Sequence, residues 1–239
     1  MTVSDSTLSG FVDQVRAEVF PEYFRMPDGP SLEGTCIGIF GGEATGGFLA
    51  GLPEMKRLLH TDVEAVSRND PAADSLEEVI LCYPLVKVML HYRTAHALHL
   101  LGVKVIPRML TEMAHSLTGI DINPAARIGE YFAIDHGTGV VIGETCEIGS
   151  HVMLYQGVTL GARNFRYDAQ GNPKAYPRHP IIEDNVTIYS NTSVLGRVRI
   201  GHDSVIGGNV WLTHDVPPYS RIYQGKAVHE TRFKDGEGI

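Results

Sequence analysis

The sequence has no long apolar run and no excess of basic residues, and each absence excludes a class of protein. No stretch approaches the roughly 20 apolar residues that cross a bilayer, so we expect no membrane partner. The first residues, MTVSDSTLSG, lack the charged and apolar regions of a signal peptide, so a cytoplasmic location is expected. With 28 acidic and 20 basic residues, the net charge of −8 is opposite to that of a nucleic-acid-binding surface. DNA and RNA are therefore excluded as primary partners.

Cysteine is scarce as well. The chain has three cysteines, Cys36, Cys82 and Cys146, which is an odd number, and none of them forms a CxxC pair. This pattern disfavours both a disulfide framework and a zinc knuckle. Each cysteine is expected to act as a small buried hydrophobic side chain, and we expect no bound metal.

The first half of the chain has the apolar spacing of helices. With 239 residues, 43% of them hydrophobic, the chain is long enough for one compact domain or two small ones. Runs with helical spacing begin at Leu8, Leu52, Leu85 and Val105, and proline or glycine separates them. The glycine-rich segment GGEATGG, residues 41–47, lacks the phosphate-binding glycine patterns and is interpreted as a linker. We predict an all-α domain over residues 1–118.

After Gly119 the helical period disappears, and aliphatic residues recur every six positions. The repeating residues are Ile142, Ile148, Leu154 and Leu160, and then Ile182, Ile188, Val194, Ile200, Ile206 and Leu212. A period of six fits a triangular coil of about eighteen residues, in which each aliphatic side chain points inward and stacks on the residue one coil away. The predicted fold class is therefore α+β, with the all-α domain followed by a parallel β-helix over residues 119–225.

Two polar segments interrupt the six-residue repeat. The step from Ile134 to Ile142 is two residues too long, and the excess surrounds Asp-His-Gly-Thr-Gly. Residues 162–177 replace the aliphatic residues with Gly, Asn, Pro, Asp and Lys and are predicted to form an extruded loop. A tolerated surface insertion is the alternative for such a loop, but this loop ends directly at Arg178-His179-Pro180, which favours a functional role. Residues 226–239 leave the pattern and form a C-terminal tail.

Four short motifs make a specific combination. They are Asp70-Pro71 in SRNDPAA, Gly-Ile-Asp121, Asp135-His136-Gly-Thr-Gly and Arg178-His179-Pro180. Together with the hexad repeat, which alone would identify only the superfamily, they resemble the serine acetyltransferases of the hexapeptide-repeat acyltransferases. The resemblance covers the carboxyl-terminal half closely and also the helical half from about residue 62 to 117. Two departures are Asn123, where many relatives have histidine, and a longer loop before Arg178.

The resemblance implies a fold and a reaction. The β-helix is expected to be left-handed, and the chain is expected to transfer an acetyl group from acetyl-CoA to the hydroxyl of L-serine, the first step of cysteine biosynthesis. A serine hydroxyl needs a base that removes its proton as the new bond forms, and the resemblance gives this catalytic role to His136. Asp121 is the carboxylate expected to orient the imidazole. The two residues are fifteen positions apart, close to one coil.

The resemblance also implies an amino-acid pocket. Asp70 and Asp135 are expected to hold the ammonium group, and Arg178 to bind the carboxylate with two parallel donors. His179 is expected to lie beside the hydroxyl. Without the resemblance, Asp70-Pro71 would be interpreted as a helix stop and His179 as a loop residue.

The partners follow from the same resemblance. CoA is expected in a groove between the β-helices of neighbouring subunits, under the extruded loop, so that a homotrimer completes the active site. Ser190 and Gly208, at matching positions on later coils, are the expected cofactor contacts along the pantetheine arm. The family often pairs two trimers through the helical domains, and L-cysteine typically inhibits it. A terminal isoleucine, here Ile239, enters the active site of O-acetylserine sulfhydrylase in such enzymes.

Three alternatives remain open. Another hexapeptide acetyltransferase, with a sugar, an amine or homoserine as acceptor, would share His136 but would not need Asp70 and Arg178 as a clamp. A zinc carbonic anhydrase on the same β-helix would need three converging histidines, although the spacing of the histidines does not match that family. The candidates are His136, His151, His179, His202 and His214. A non-enzymatic scaffold that presents Ile239 is the third alternative.

Overall fold

A computed structural model describes residues 3–172 and 174–225. The predicted tail over residues 226–239, with Ile239, lies outside the described residues. Within them the chain begins with six helices: α1 (Asp5–Val19), α2 (Leu32–Phe40), α3 (Gly42–Asn69), α4 (Leu76–Cys82), α5 (Pro84–Leu100) and α6 (Ile106–Thr118). No helix of the described part of the chain is long and apolar enough to cross a membrane.

The helix ends follow local sequence signals. The side chains of Ser4, Ser31 and Ser75 each accept a hydrogen bond from the backbone N–H three residues later, which caps the starts of α1, α2 and α4. Helix α5 begins at Pro84, because a first-turn proline loses no intrahelical hydrogen bond. Helix α6 ends at Gly119, whose φ of 71° lies in the left-handed region that glycine adopts without steric cost.

The interpretation of residues 41–47 as a linker is wrong. Gly41, with φ of 85°, ends α2, and the remaining residues of GGEATGG form the first turns of the 28-residue helix α3. One of these glycines has a packing role, because a Cβ on Gly47 would lie 2.5 Å from Cδ2 of Leu101. A polar, glycine-rich sequence therefore forms a helix here, since tertiary packing outweighs the low helix propensity of glycine.

The second half is a left-handed parallel β-helix, which confirms the predicted fold class. Its strands are β1 (Asp121–Ile122), β2 (Arg127–Ile128), β3 (Ala133–Asp135), β4 (Val141–Ile142), β5 (Glu147–Ile148), β6 (Met153–Tyr155), β7 (Thr159–Gly161), β8 (Ile181–Ile182), β9 (Thr187–Ile188), β10 (Ser193–Leu195), β11 (Arg199–Ile200), β12 (Val205–Ile206), β13 (Trp211–Leu212) and β14 (Arg221–Ile222). They form three parallel sheets, which we call A (β1-β4-β7-β10-β13), B (β2-β5-β8-β11) and C (β3-β6-β9-β12-β14).

The six-residue repeat forms the core of this β-helix. In sheet A the aligned side chains are Ile122, Ile142, Leu160, Val194 and Leu212, and all of them are buried. Equivalent columns run through sheets B and C, including Ile148 to Ile182 to Ile200 and Leu154 to Ile188 to Ile206. A single coil could not bury such a column by itself, so the stacking of successive coils supplies the core, as predicted.

Three edges join the sheets, and we name each after the sheets that it connects. The C–A edge contains residues 136–140, 156–158, 190–192 and 208–210, and the A–B edge contains residues 143–146 and the long loop between β7 and β8. The B–C edge contains residues 149–152, 183–186 and 201–204. These edges turn sharply, and several turn residues have positive φ, including His136, Asn191 and Asn209.

A buried ion pair joins the helical half to the first coil. Arg93 of α5 donates from Nε and Nη2 to the two carboxylate oxygens of Asp62 in α3, at 2.7 and 2.8 Å. The same Nη2 also donates to the backbone oxygen of Gly129, and Asp62 accepts the backbone N–H of Phe132. Because α3 and α5 both bind the turn before β3 in this way, the position of the helices relative to the β-helix is fixed.

Candidate active site

The first cluster of predicted residues lies at the start of the C–A edge. Asp135 is the last residue of β3, and His136 follows it with φ of 57°, which turns the chain sharply and directs the imidazole outward. The His136 side chain is 72% exposed, so solvent and substrate can reach it. Its Nδ1 atom lies 3.8 Å from Oδ1 of Asp135. A base within reach of a carboxylate is therefore available at this edge.

Asp70 reaches the same cluster from the end of α3. Its Oδ1 accepts the backbone N–H of Ala72 at 2.8 Å, and its Oδ2 accepts the hydroxyl of Tyr83 at 2.6 Å. These two donors, led by the Tyr83 hydroxyl and assisted by the nearby His136, lower the pKa of Asp70. The bond to Asp70 raises the pKa of Tyr83 to about 12. The structure thus brings three predicted residues together here: Asp70, Asp135 and His136.

Asp121 lies one strand away in sheet A. Its partner in the register is Val141, five residues after His136, and its backbone N–H bonds to the oxygen of Val140. Among the described residues, its side chain makes no hydrogen bond or ion pair with His136 that would fix the imidazole. The pairing of Asp121 with His136 therefore stays a prediction.

The second cluster lies at the A–B edge. The hydroxyl oxygen of Thr145 accepts the backbone N–H groups of Arg178 and His179, at 2.9 and 3.1 Å. The backbone N–H of Thr145 in turn donates to Nδ1 of His179 at 3.1 Å. Arg178 pairs with Glu144 at 2.6 Å. This small network fixes the end of the long loop against the coil that contains Thr145.

The imidazole of His179 is neutral in this arrangement. Because Nδ1 accepts a backbone N–H, the ring proton must reside on Nε2. Burial of the ring, reinforced by the neighbouring charge of Arg178, lowers the pKa of His179 to about 4. The ring packs directly over Gly143, where a Cβ would overlap the imidazole. His179 is therefore a fixed hydrogen-bond donor rather than a titrating group near neutral pH.

One chain does not bring the two clusters together. His136 lies where the chain enters sheet A, and His179 lies where it leaves that sheet, so a sheet face separates them. Asp70 and Asp135 share the edge of His136, whereas Arg178 shares that of His179. Each edge therefore carries only a part of the predicted amino-acid pocket.

Ser190 and Gly208 extend the C–A edge beyond His136. They occupy equivalent turns on successive coils, and a Cβ on Gly208 would lie 3.1 Å from the backbone oxygen of Ser190. The turn below them, at Gln156, joins the column because its backbone oxygen accepts the N–H of Asn191. The turns at Gln156, Ser190 and Gly208 therefore stack on one another along the C–A edge.

The long loop lies on the A–B edge and covers a basic cleft. The cleft has a volume of about 530 Å³, and its lining includes Arg163, Arg166, Tyr176, Arg178 and Arg197. The guanidinium group of Arg166 lies 4.7 Å from the centre of the Tyr176 ring, and the Tyr176 hydroxyl donates to the backbone oxygen of Asn164. Four arginines line this cleft, and two of them, Arg178 and Arg197, are paired with Glu144 and Glu147.

Sequence reasoning missed two residues that organise these clusters. Tyr83 directly precedes Pro84, so its position just before a helix could be predicted, but its bond to Asp70, thirteen residues earlier, could not. Thr145 lies inside an ordinary stretch of the repeat, GETCEIG, and three of its hydrogen bonds reach residues more than thirty positions away.

The histidines that could bind zinc are far apart in the chain's fold. Among residues 3–172 and 174–225, no group of three or more His, Cys, Asp or Glu side chains is placed to hold a metal ion. The five candidate histidines are spread over all three edges, with His136 on the C–A edge, His179 and His214 on the A–B edge, and His151 and His202 on the B–C edge. Within one chain, the described residues therefore do not bring three of these histidines together.

Comparison with known proteins decides the family. Residues 179–214 match the family model described as bacterial transferase hexapeptide (six repeats). The plasmid serine acetyltransferase of Synechococcus elongatus is 45% identical over 236 residues, which cover 98% of this chain and 73% of the relative. The chain belongs to the serine acetyltransferases. The Bacillus subtilis serine acetyltransferase is 43% identical over 166 residues, which cover 70% of this chain and 73% of the relative.

Solved serine acetyltransferases share the whole architecture. Entamoeba histolytica serine acetyltransferase 1 in complex with L-cysteine matches with a TM-score of 0.81 and 35% identity over 90% of this chain and 86% of that structure. The Neisseria gonorrhoeae enzyme in complex with serine matches with a TM-score of 0.71 and 26% identity, covering 95% and 85%. A serine acetyltransferase complex with CoA matches at 0.68 and 25%, covering 91% and 83%. The predicted family and the activity of a serine O-acetyltransferase, an acyltransferase, are confirmed.

Proposed function

We propose that His136 is the base of a reaction in which the acetyl group of acetyl-CoA moves to the hydroxyl of L-serine, giving O-acetyl-L-serine and CoA. The observation that carries this proposal is the exposed imidazole of His136, held at the end of β3 beside the carboxylates of Asp70 and Asp135. Relatives of the same fold bind serine and CoA, which supports the choice of both substrates.

His136 is proposed to carry the proton from the serine hydroxyl to the CoA sulfur without a second proton carrier. The imidazole removes the proton of the serine hydroxyl as the serine oxygen attacks the thioester carbon. Collapse of the tetrahedral intermediate breaks the carbon–sulfur bond, and the imidazolium returns the proton to the CoA sulfur. Asp121 is proposed to stabilise the imidazolium, as the family resemblance implies, while the CoA thiolate is the leaving group.

The amino-acid pocket needs residues from both edges. Asp70 and Asp135 are proposed to hold the ammonium group of serine, and Arg178 its carboxylate. The neutral ring of His179, protonated at Nε2, is suited to donate a hydrogen bond to an oxygen that gains negative charge in the transition state. Since these residues occupy opposite borders of sheet A, we propose that the C–A edge of one subunit faces the A–B edge of its neighbour in a homotrimer.

The groove between such edges would also hold acetyl-CoA. The stacked turns at Ser190 and Gly208 are proposed contacts of the pantetheine arm as it extends from His136. On the facing edge, Arg163 and Arg166 of the cleft under the long loop are suited to the phosphates at the other end of the molecule, whereas Arg178 is left for serine.

An inhibitor and two assembly contacts are also proposed from the family resemblance. L-Cysteine, which occupies a related enzyme, is proposed as a feedback inhibitor at the serine site, because it differs from serine only in its thiol. Two trimers are proposed to pair through the helical halves. Ile239 is proposed as the contact with O-acetylserine sulfhydrylase.

The proposed function is tested by CoA release from acetyl-CoA with parallel acceptors. Purified protein is offered L-serine, L-homoserine, a galactoside or no acceptor, and L-cysteine is added to a duplicate set. We expect release with L-serine alone, suppressed by L-cysteine. Release with the sugar or with homoserine but not serine would keep the fold and overturn the substrate. Elemental analysis that finds about one zinc per chain would instead favour the carbonic anhydrase alternative.

The position of His179 can be tested without touching the histidine. In a Gly143→Ala variant the new methyl group would overlap the buried imidazole, so the ring must move away from its hydrogen bond with Thr145. We expect kcat/KM for L-serine to fall at least about tenfold, since small displacements of positioned groups are costly. Gly51→Ala is the matched control, because a Cβ there meets nothing within 4 Å. Equal activity of the two variants would show that the position of His179 is unimportant.

A further inference from the structure

Within the described part of the chain, Tyr83 is the side chain that hydrogen-bonds to the carboxylate of Asp70, and it ties the end of α3 to the start of α5. It lies just before α5, where Pro84 fixes the start of the helix, and its ring packs against the hydrophobic core. Its hydroxyl donates to Oδ2 of Asp70 at 2.6 Å. This length is typical of a charge-assisted O–H···O⁻ bond, which is about twice as strong as a neutral one.

Asp70 needs such a partner because of its place in the chain. It follows the last residue of α3 and begins a loop whose other residues are largely exposed. Its Oδ1 is held locally, by the backbone N–H of Ala72. Its Oδ2 is held by Tyr83 from another element, so this bond alone fixes the carboxylate relative to α5.

We propose that Tyr83 is a positioning residue for the acceptor amino acid. It orients the carboxylate of Asp70 and holds it in the form that accepts the ammonium group of serine. The inference rests on the proposed function, in which Asp70 binds that ammonium group. Tyr83 does not take part in proton transfer, because the hydroxyl is already committed to Asp70 and loses its proton only under strongly alkaline conditions.

The charged groups around this pair agree with such a role. Asp70 faces His136 of the C–A edge, and Tyr83 lies in the field of Glu78 from α4 and of Asp135 from β3. The Tyr83 hydroxyl favours the ionised form of Asp70, because it donates a hydrogen bond to that form. The pocket can therefore keep more than one negative charge to bind one ammonium group.

Steady-state kinetics of a Tyr83→Phe variant test the proposal. The ring and its packing remain while the donor is lost, so we expect KM for L-serine to rise about tenfold, as removal of a hydrogen bond to a charged group predicts. The turnover number should stay within about twofold, and KM for acetyl-CoA should not change. Tyr131→Phe is the matched control. The Tyr131 ring stacks on His151, on the B–C edge.

The pH dependence separates positioning from a structural role. Loss of the donor raises the pKa of Asp70, so protonation begins at higher pH and weakens ammonium binding there. The ratio of the serine KM values of Tyr83→Phe and wild type should therefore increase as the pH falls from 8 toward about 5. A ratio that stays constant, an unchanged KM, or a fall in turnover with KM unaltered would overturn the inference. In each of these cases the wild-type activity with L-serine would still support the proposed function.

Discussion

Replacement of His136 by alanine should lower the turnover of L-serine by at least about a hundredfold, because general-base catalysis contributes about 10²–10⁴-fold. The fold should survive, since the side chain is 72% exposed. The measurement is CoA release at saturating serine and acetyl-CoA, with circular dichroism and thermal melting to confirm folding.

An asparagine at the same position separates the loss of the imidazole from strain in the backbone. His136 has φ of 57°, which costs alanine more than asparagine, so His136→Asn tests the loss of the base without the strain. Both variants should be equally impaired. Near-normal turnover in either variant would show that His136 is not the catalytic base.

Replacement of Arg93 by alanine should lower the free energy of unfolding by about 3–5 kcal/mol. The change leaves the carboxylate of Asp62 buried without its bidentate partner, and a buried, unpaired charge has a cost of this size. It also frees the backbone oxygen of Gly129 from its donor. Urea denaturation measures the loss, and thermal melting should show a fall of about 10 °C.

A surface pair on the same junction provides the control. Arg57 of α3 bonds to Glu130, next to the turn that Arg93 holds, but its side chain is 50% exposed. Exposed ion pairs contribute little to stability because water screens them, so Arg57→Ala should change the free energy of unfolding little. If both variants lost the same small amount, the buried pair would not be what holds the two halves together.

The β-helix was predictable because its core repeats. Each aliphatic residue at a hexad position has an equivalent one coil away, so sequence spacing alone fixes the register from Ile182 to Ile200 and from Ile188 to Ile206. The helical half has no such repeat. Residues 41–47 form part of α3 because of contacts such as that between Gly47 and Leu101, which lie far apart in sequence and leave no local pattern.

The candidate site was predictable only as a set of residue types. The motif containing Asp135 and His136 breaks the hexad register, and this break marks it as special. What the sequence does not contain is the placement of His136 and His179 on opposite borders of one sheet. That separation depends on which edge each turn occupies. In the proposed trimer, the two histidines of one site would come from two subunits.

The long loop between β7 and β8 interrupts the chain without disturbing the stack of coils. Val194 still stacks on Leu160, and Ile182 on Ile148, although a long segment leaves and re-enters the coil between them. Closing a loop costs only about 0.6 kcal/mol for each doubling of its length. Insertions and deletions at this point are therefore nearly neutral for folding, while they reshape the roof of the basic cleft. The length of this loop can thus change the shape of the cleft without any repacking of the stacked coils.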